Sequence, residues 1–292
     1  MNLLSVPSSI SSGAQSLARG EEGYTVTQKI VEINGAAGLK KSFIETFGSL
    51  CRRRRSLDVW SDFITMAACS LSNAVDIGHY EERETRYTQL YEKYSEHEQQ
   101  IVPELLAYIV MALEANPEQD FLGEIYTALG LHDKTRKQEF TPYGVGKLMA
   151  LIAECDMQEQ VERRGYLSIA DPTCGSGATL IARVHAARRD LQRMGLNFQN
   201  HVLVVGQDID ETAALMCYIQ LSLLGVAAYI KVGDTLEDPI SSDDTLENYW
   251  FTPMYFSDVW VMRRTIQQIR AMTKRITSEK RVHRLDGDEN KD

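Results

Sequence analysis

The five cysteines, Cys51, Cys69, Cys155, Cys174 and Cys217, include no CxxC pair and no metal-type spacing to histidine. The sequence therefore offers neither a metal ligand set nor a redox motif, and its thiols read as reduced and mostly buried. No apolar run approaches the roughly 18 residues a membrane span requires, and the N-terminus lacks a basic-then-apolar signal pattern. These absences place the chain in the cytoplasm with no membrane partner. Positive charge is also scarce: 31 Lys and Arg face 41 Asp and Glu, a net charge of −10. Such a balance opposes any protein that must neutralise phosphates alone.

The charge that is present is uneven. Between Arg263 and Arg284 there are eight Lys or Arg against one Glu, so a basic helical pattern with a short acidic tail (259–292) follows an acidic body. The 292 residues suffice for one large domain or two modest ones. Residues 1–35, Ser- and Gly-rich in "SSISSGAQS", lack periodicity and read as a mobile arm. Over 36–135, apolar residues recur at helix spacing in "LDVWSDFITMAACSLSNAV" and "IVPELLAYIVMALEA", which predicts an all-helical domain. Within it, "CRRRR" (Cys51–Arg55) reads either as a phosphate contact or as a solvated helix end.

Over 136–258 the texture changes to short β-branched runs alternating with amphipathic helices. "YLSIA" (Tyr166–Ala170), "HVLVV" (His201–Val205) and "AAYIKV" (Ala227–Val232) predict strands, with helices near 178–194 and 211–224. Strands separated by such helices pair in parallel through crossovers. The expected fold is therefore α/β, a partial doubly wound Rossmann-like sheet preceded by the helical domain.

Sheets of this kind bind ligands at the carboxyl ends of their strands. After the first strand comes "ADPTCGSGATLI", in which Asp171 ends the strand and Gly175 and Gly177 let the backbone turn and approach a ligand. The next helix then points its free amides at the pocket. "GQDID" puts Asp208 at the second strand end, placed to accept ribose hydroxyls, and "GDTL" puts Asp234 at the third. Turn-forming aspartates are the plainer reading of each acid alone. An NAD site is the competing ligand reading, but Thr179 or Leu180 stands where the third glycine of the dinucleotide fingerprint belongs.

"EFTPYGVGKLMALI", "DPTCGSGATLI", "GQDID" and "GDTL", in this order, resemble the S-adenosylmethionine-binding half of N6-adenine DNA methyltransferases, particularly the modification subunits of type I restriction systems. "DFLGEIYTALGL", just upstream, is similar too. The close resemblance covers Phe140–Leu236. It implies a class I methyltransferase fold with Phe140 and Thr141 near the methionine end of the cofactor. Asp171, Pro172, Thr173 and the loop of Gly175 and Gly177 would approach its amino and carboxylate groups. Asp208 would hold the ribose, Ile209 would lie on the adenine face unless it is simply core, and Asp234 would meet the adenine amino group. Thr141-Pro142 also suits a helix start, predicting a helix over Tyr143–Ala153 with Val145, Leu148, Met149 and Ile152 on its packed face.

The resemblance further implies a catalytic loop of Asn or Asp, Pro, Pro and an aromatic residue after a fourth strand, accepting from the target adenine's amino group and stacking on the flipped base. The candidate here is "TPMY", with Thr252, Pro253 and Tyr255 in those places and Met254 for the second proline. A threonine hydroxyl replaces a fixed acceptor poorly, a loss of a hundredfold to a thousandfold in order of magnitude. "SSDDTLENYW" before it is too polar for an inner strand, so a turn opening an aromatic docking segment is the competing reading. The family fold has three further strands and commonly a target-recognition domain, whereas 32 residues follow Trp260. The expectation is thus an S-adenosylmethionine-binding protein, weakly active or inactive alone. DNA contact would come through a partner subunit or the basic helix 263–284, and association with a protein partner or a second copy is expected. An active subunit completed by a partner chain is the alternative.

Overall fold

The computed structural model describes residues 36–131, 140–152, 157–270 and 272–273. The arm over 1–35, Cys155 and the end of the basic and acidic tail lie outside them.

Five helices come first: α1 (Ala36–Leu50), α2 (Ser56–Asn73), α3 (Tyr80–Tyr91), α4 (Glu96–Ala115) and α5 (Phe121–Ala128). Their starts are written locally. Ser95 and Glu98 form a reciprocal capping box at α4, and Asp120 caps α5 by accepting from Gly123 N–H at 3.0 Å. Phe43, Phe47, Trp60, Phe63 and Phe121 fill the centre, several of them edge to face with centroids 5.5–6.3 Å apart.

Then α6 (Tyr143–Ile152) and α7 (Met157–Arg164) precede a four-stranded sheet in the order β1 (Leu167–Asp171), β2 (Val202–Asp208), β3 (Ala227–Val232), β4 (Tyr249–Phe251). The first three are parallel, joined through α8 (Ala178–Arg193), the short α9 (Phe198–His201) and α10 (Glu211–Leu223). The expected half of a parallel α/β sheet behind a set of helices is thus present. Every residue of α10 from Ala213 to Leu221 is buried, because α2 covers one side and the sheet the other. A helix apolar all round must be enclosed in this way. The two parts share one continuous hydrophobic core from Leu39 to Trp250.

One expectation is corrected. The helix at Tyr143 buries Gly146 and Ala150, while Val145, Leu148, Met149 and Ile152 are about half exposed or more. Gly146 lies so close to α8 that a Cβ there would meet the carbonyl of Ala178 at 3.2 Å, so the small residues face inward. The edge of β3 is covered by the aromatic segment, which adds β4 antiparallel, with Tyr229 opposite Phe251 and Lys231 opposite Tyr249. The acids before it stay out of the sheet. Asp244 and Asp238 each accept from buried Lys231 Nζ at 2.8 Å.

Arg83 of α3 joins this edge to the helices. Its buried guanidinium donates to the Tyr249 carbonyl at 2.6 Å and to Asp76 at 2.8 Å, and lies 4.0 Å from the centre of the Trp250 ring. The last helix, α11 (258–270), packs under the amino ends of the strands. Buried Trp260 donates to the Gln199 carbonyl at 2.8 Å, and Arg263 to the Gly165 carbonyl at 2.6 Å. Gly165 and Gln199 lie just before β1 and β2. The basic helix therefore begins as a cover for the bottom of the sheet.

Candidate functional site

Parallel pairing brings the ends of β1, β2 and β3 to one rim: Asp171 is opposite Gly206, and Asp208 opposite Val232. Asp208 is the hub. Its Oδ2 accepts from Gly175 N–H at 2.7 Å and its Oδ1 from Asp210 N–H at 2.9 Å. Burial raises its pKa, against the lowering effect of those two N–H groups. A carboxylate offers about four lone-pair sites, so two remain for a diol. Ile209 beside it is 69 % exposed, so it is not core and presents an apolar face at the rim.

Asp171 is half-buried and holds its own loop, accepting from Thr173 N–H at 3.0 Å and from the Thr179 hydroxyl at 2.5 Å. Asp234 closes an Asx turn on Leu236 N–H at 2.8 Å, and Gly233 N–H reaches the Asp208 carbonyl at 2.9 Å. The turn-forming reading of these acids is therefore true of their local bonds. It does not explain their gathering on one rim, which follows from strand register.

The glycine loop between β1 and α8 turns through two left-handed residues, Gly175 at φ +52° and Gly177 at φ +97°. A Cβ on Gly175 would press the Phe140 ring at 3.1 Å, and one on Gly177 would strike Cys217 Sγ at 2.9 Å. Gly175 thus faces the pocket and Gly177 packs against α10. A cavity of about 260 Å³ lies over the loop, lined by Phe140, Thr141, Met149, Asp171, Thr173 and Gly175 among others. Exposed Pro172 stands at its rim. Phe140 is held from behind by Tyr126 of α5, centroids 5.2 Å apart.

Sequence reasoning missed the anchor of this loop. Asp120, buried at the start of α5, accepts from the Ser176 hydroxyl and, at 2.8 Å, from Gln220 Nε2. Gln220 also donates to the Ser176 carbonyl at 2.8 Å. Burial pushes the Asp120 carboxyl up. Gly123 leaves the room required, since a Cβ there would overlap both Asp120 and Ser176. The available signal was the Asp-x-x-Gly at a helix start, which reads only as a cap.

"TPMY" lies elsewhere. Because β4 runs antiparallel, Thr252 comes to the amino end of β3, about 13 Å along the strand from Val232 at roughly 3.3 Å per residue. Thr252 is fully buried; its hydroxyl donates to the Val226 carbonyl at 2.7 Å and accepts from Ala228 N–H at 2.8 Å. Pro253 opens a 3-10 turn. Tyr255 packs on Phe251, centroids 4.8 Å apart, beneath Arg264 at 3.9 Å. None of the three is brought to the rim of Asp171, Asp208 and Asp234.

The described helices include none long and apolar enough to cross a membrane. No curated protein matches the chain. Among solved structures it is similar to the type I restriction-modification system methyltransferase subunit from Streptococcus thermophilus, at 17% identity and a TM-score of 0.36, with 80% of this chain and 48% of that one covered. The chain thus spans about half the length of that subunit. The family model described as N-6 DNA Methylase matches residues 117–283, from just before Asp120 through the glycine loop, the strand-end acids and the basic helix. As that match takes in more than half of the 292 residues, the chain belongs to the N-6 DNA methylase family.

Proposed function

We propose that this chain binds S-adenosylmethionine across the carboxyl ends of β1, β2 and β3, and that alone it methylates adenine slowly or not at all. The observation that carries the reading is the bond from Gly175 N–H to Asp208, which joins the glycine loop to a strand-end acid that has capacity left for a ribose diol. Ile209 then lies against the adenine face, and Asp234 accepts from the adenine amino group. Phe140, Thr141, Asp171, Pro172, Thr173 and Gly175 surround the methionine end, whose carboxylate meets the first amides of α8. Gly177 acts by letting the loop pack on Cys217. The bound cofactor supplies an electrophilic methyl group; the chain orients it and excludes water.

Weak activity alone follows from Thr252, whose hydroxyl is consumed by β3 at the wrong end of the sheet. A second reading, an active methyltransferase completed by a partner chain, draws support from β1. Among the described residues no strand pairs with its outer edge, and exposed Met149 of α6 shares a groove with Leu167–Asp171 of that strand. A partner strand placed there would close the rim with the acceptors this chain lacks. Calorimetric titration with S-adenosylmethionine, its demethylated product and NAD tests the ligand. Binding of the first two, weakened at least about tenfold by Asp208→Ala, is expected; equal affinity in that variant, or preference for NAD, defeats the proposal.

A further inference from the structure

Where α4, α8, α9 and the end of α10 come together there is a cavity of about 330 Å³. Its floor is the core itself, buried Leu113, Val184 and Val226, and its walls are the half-buried Val110, Phe198 and Leu224. Protein interiors leave few voids larger than a water molecule, and this one has the size and the apolar lining of a small-molecule site. Phe198 and Val226 stand just before β2 and β3. The cavity therefore lies at the amino ends of the strands, opposite the rim of Asp171, Asp208 and Asp234.

One polar group in the lining is unaccounted for. His185 of α8 is only 5 % exposed; its ring donates to the Pro117 carbonyl, while Nε2 is buried with no partner among the described residues. Burial holds the pKa of the ring below its ordinary 6.5, against the opposing effect of Glu118, so the imidazole is neutral at neutral pH. A neutral imidazole has one N–H and one bare nitrogen. With the proton committed to Pro117, Nε2 is an acceptor without a donor, whereas buried polar groups in native structures are nearly always paired. Nothing at the cofactor rim uses it.

An acceptor in an apolar wall selects its ligand by sign. An anion would bring acceptor to acceptor, and the described residues include no group of three side chains suited to hold a metal ion. A neutral donor carried on an apolar body satisfies both the nitrogen and the lining. We propose that this cavity binds a small, mostly apolar molecule of one or two rings that donates a single N–H or O–H hydrogen bond to His185 Nε2. The site is independent of the cofactor reading, because it faces the other end of the sheet.

The test is ligand-observed NMR titration of the full chain with indole and with benzofuran, the same fused-ring shape with an oxygen acceptor in place of the N–H. A site built to bond an N–H rejects the analogue that lacks it, so wild type is expected to prefer indole by about fivefold or more, the worth of one buried hydrogen bond. His185→Phe keeps an aromatic ring, removes the acceptor and should bind the two alike. Leu224→Trp fills the wall and should exclude both, and Asp208→Ala should leave the preference unchanged. Absence of binding at millimolar indole, equal affinities of wild type for the two compounds, or an undiminished preference in His185→Phe overturns the proposal. So does unaltered binding by Leu224→Trp, which, with the wild-type comparison, decides the matter if His185→Phe does not fold.

Discussion

The hydroxyl of Ser176, at the tip of the glycine loop, donates to the carboxylate of Asp120, 56 residues earlier at the head of α5. A helix cap thereby becomes the brace of a ligand loop. Removing the hydroxyl leaves a buried oxygen one partner short, which costs about 1–3 kcal/mol. Ser176→Ala is expected to lower stability by that amount in urea unfolding and to weaken cofactor binding. A variant as stable as wild type would show that the brace contributes nothing.

The same carboxyl predicts a pH dependence. Burial raises the pKa of Asp120 above its ordinary 3.8, so between these values the folded chain retains a proton that the unfolded chain has released. Stability contributed by this group therefore falls as pH rises from about 3.8 through the folded pKa. Asp120→Asn, which keeps the acceptor for Gly123 and Gln220, removes this response. The stability of the variant relative to wild type should rise with pH across that window, and a constant difference would count against it.

Gly177→Ala places a side chain at φ +97° and against Cys217 Sγ. The backbone strain alone costs about 1–3 kcal/mol. Cys217→Ala should recover part of the loss and none of the strain, giving a coupling of about 0.5–3 kcal/mol in a double-mutant cycle. Simple additivity would mean that the thiol yields freely.

Thr252→Asn with Met254→Pro rewrites the loop toward the family pattern. At a fully buried site where the hydroxyl bonds Val226 and Ala228, the planar amide loses that geometry and leaves buried polar groups unpaired, at a cost of about 1–3 kcal/mol. The double variant is expected to be less stable and to transfer no labelled methyl to adenine-rich DNA at matched cofactor occupancy. Cofactor-dependent N6-methyladenine from either form alone would return "TPMY" to catalysis.

Trp260→Ala empties a buried site under the sheet, a loss of about 3–5 kcal/mol. Since Trp260 sits at the amino ends of the strands and the acids at the carboxyl ends, cofactor affinity of the folded fraction should stay within about twofold. A large affinity loss would mean that the two ends are coupled.

Much of the fold was legible because its signals are local. The bounds of β3 are those of its β-branched run, α8 starts where the glycines stop, and β1 begins one residue after the start predicted for it. The gathering of Asp171, Asp208 and Asp234 was legible too, since parallel register puts successive strand ends side by side. The packed face of α6 was misread because hydrophobicity was counted and closeness was not. Gly146 and Ala150 let α6 approach the backbone of α8, and that contact excluded the larger residues.

The sequence by itself determined the strand–helix alternation, the glycine loop and the acids, each dictated by neighbours a few positions apart. Only the tertiary structure decided where Thr252 went, how Asp120 was used, and which arginines were left over. A three-residue strand has too few side chains to declare its partner; β4 found the far edge of β3 through Arg83 and the Tyr249 carbonyl, 166 residues apart. Likewise a run of four arginines is uniform as text. The fold divides it, because Glu98 lies within reach of Arg54 alone, and the cations it leaves unmatched are those that chain folding did not require.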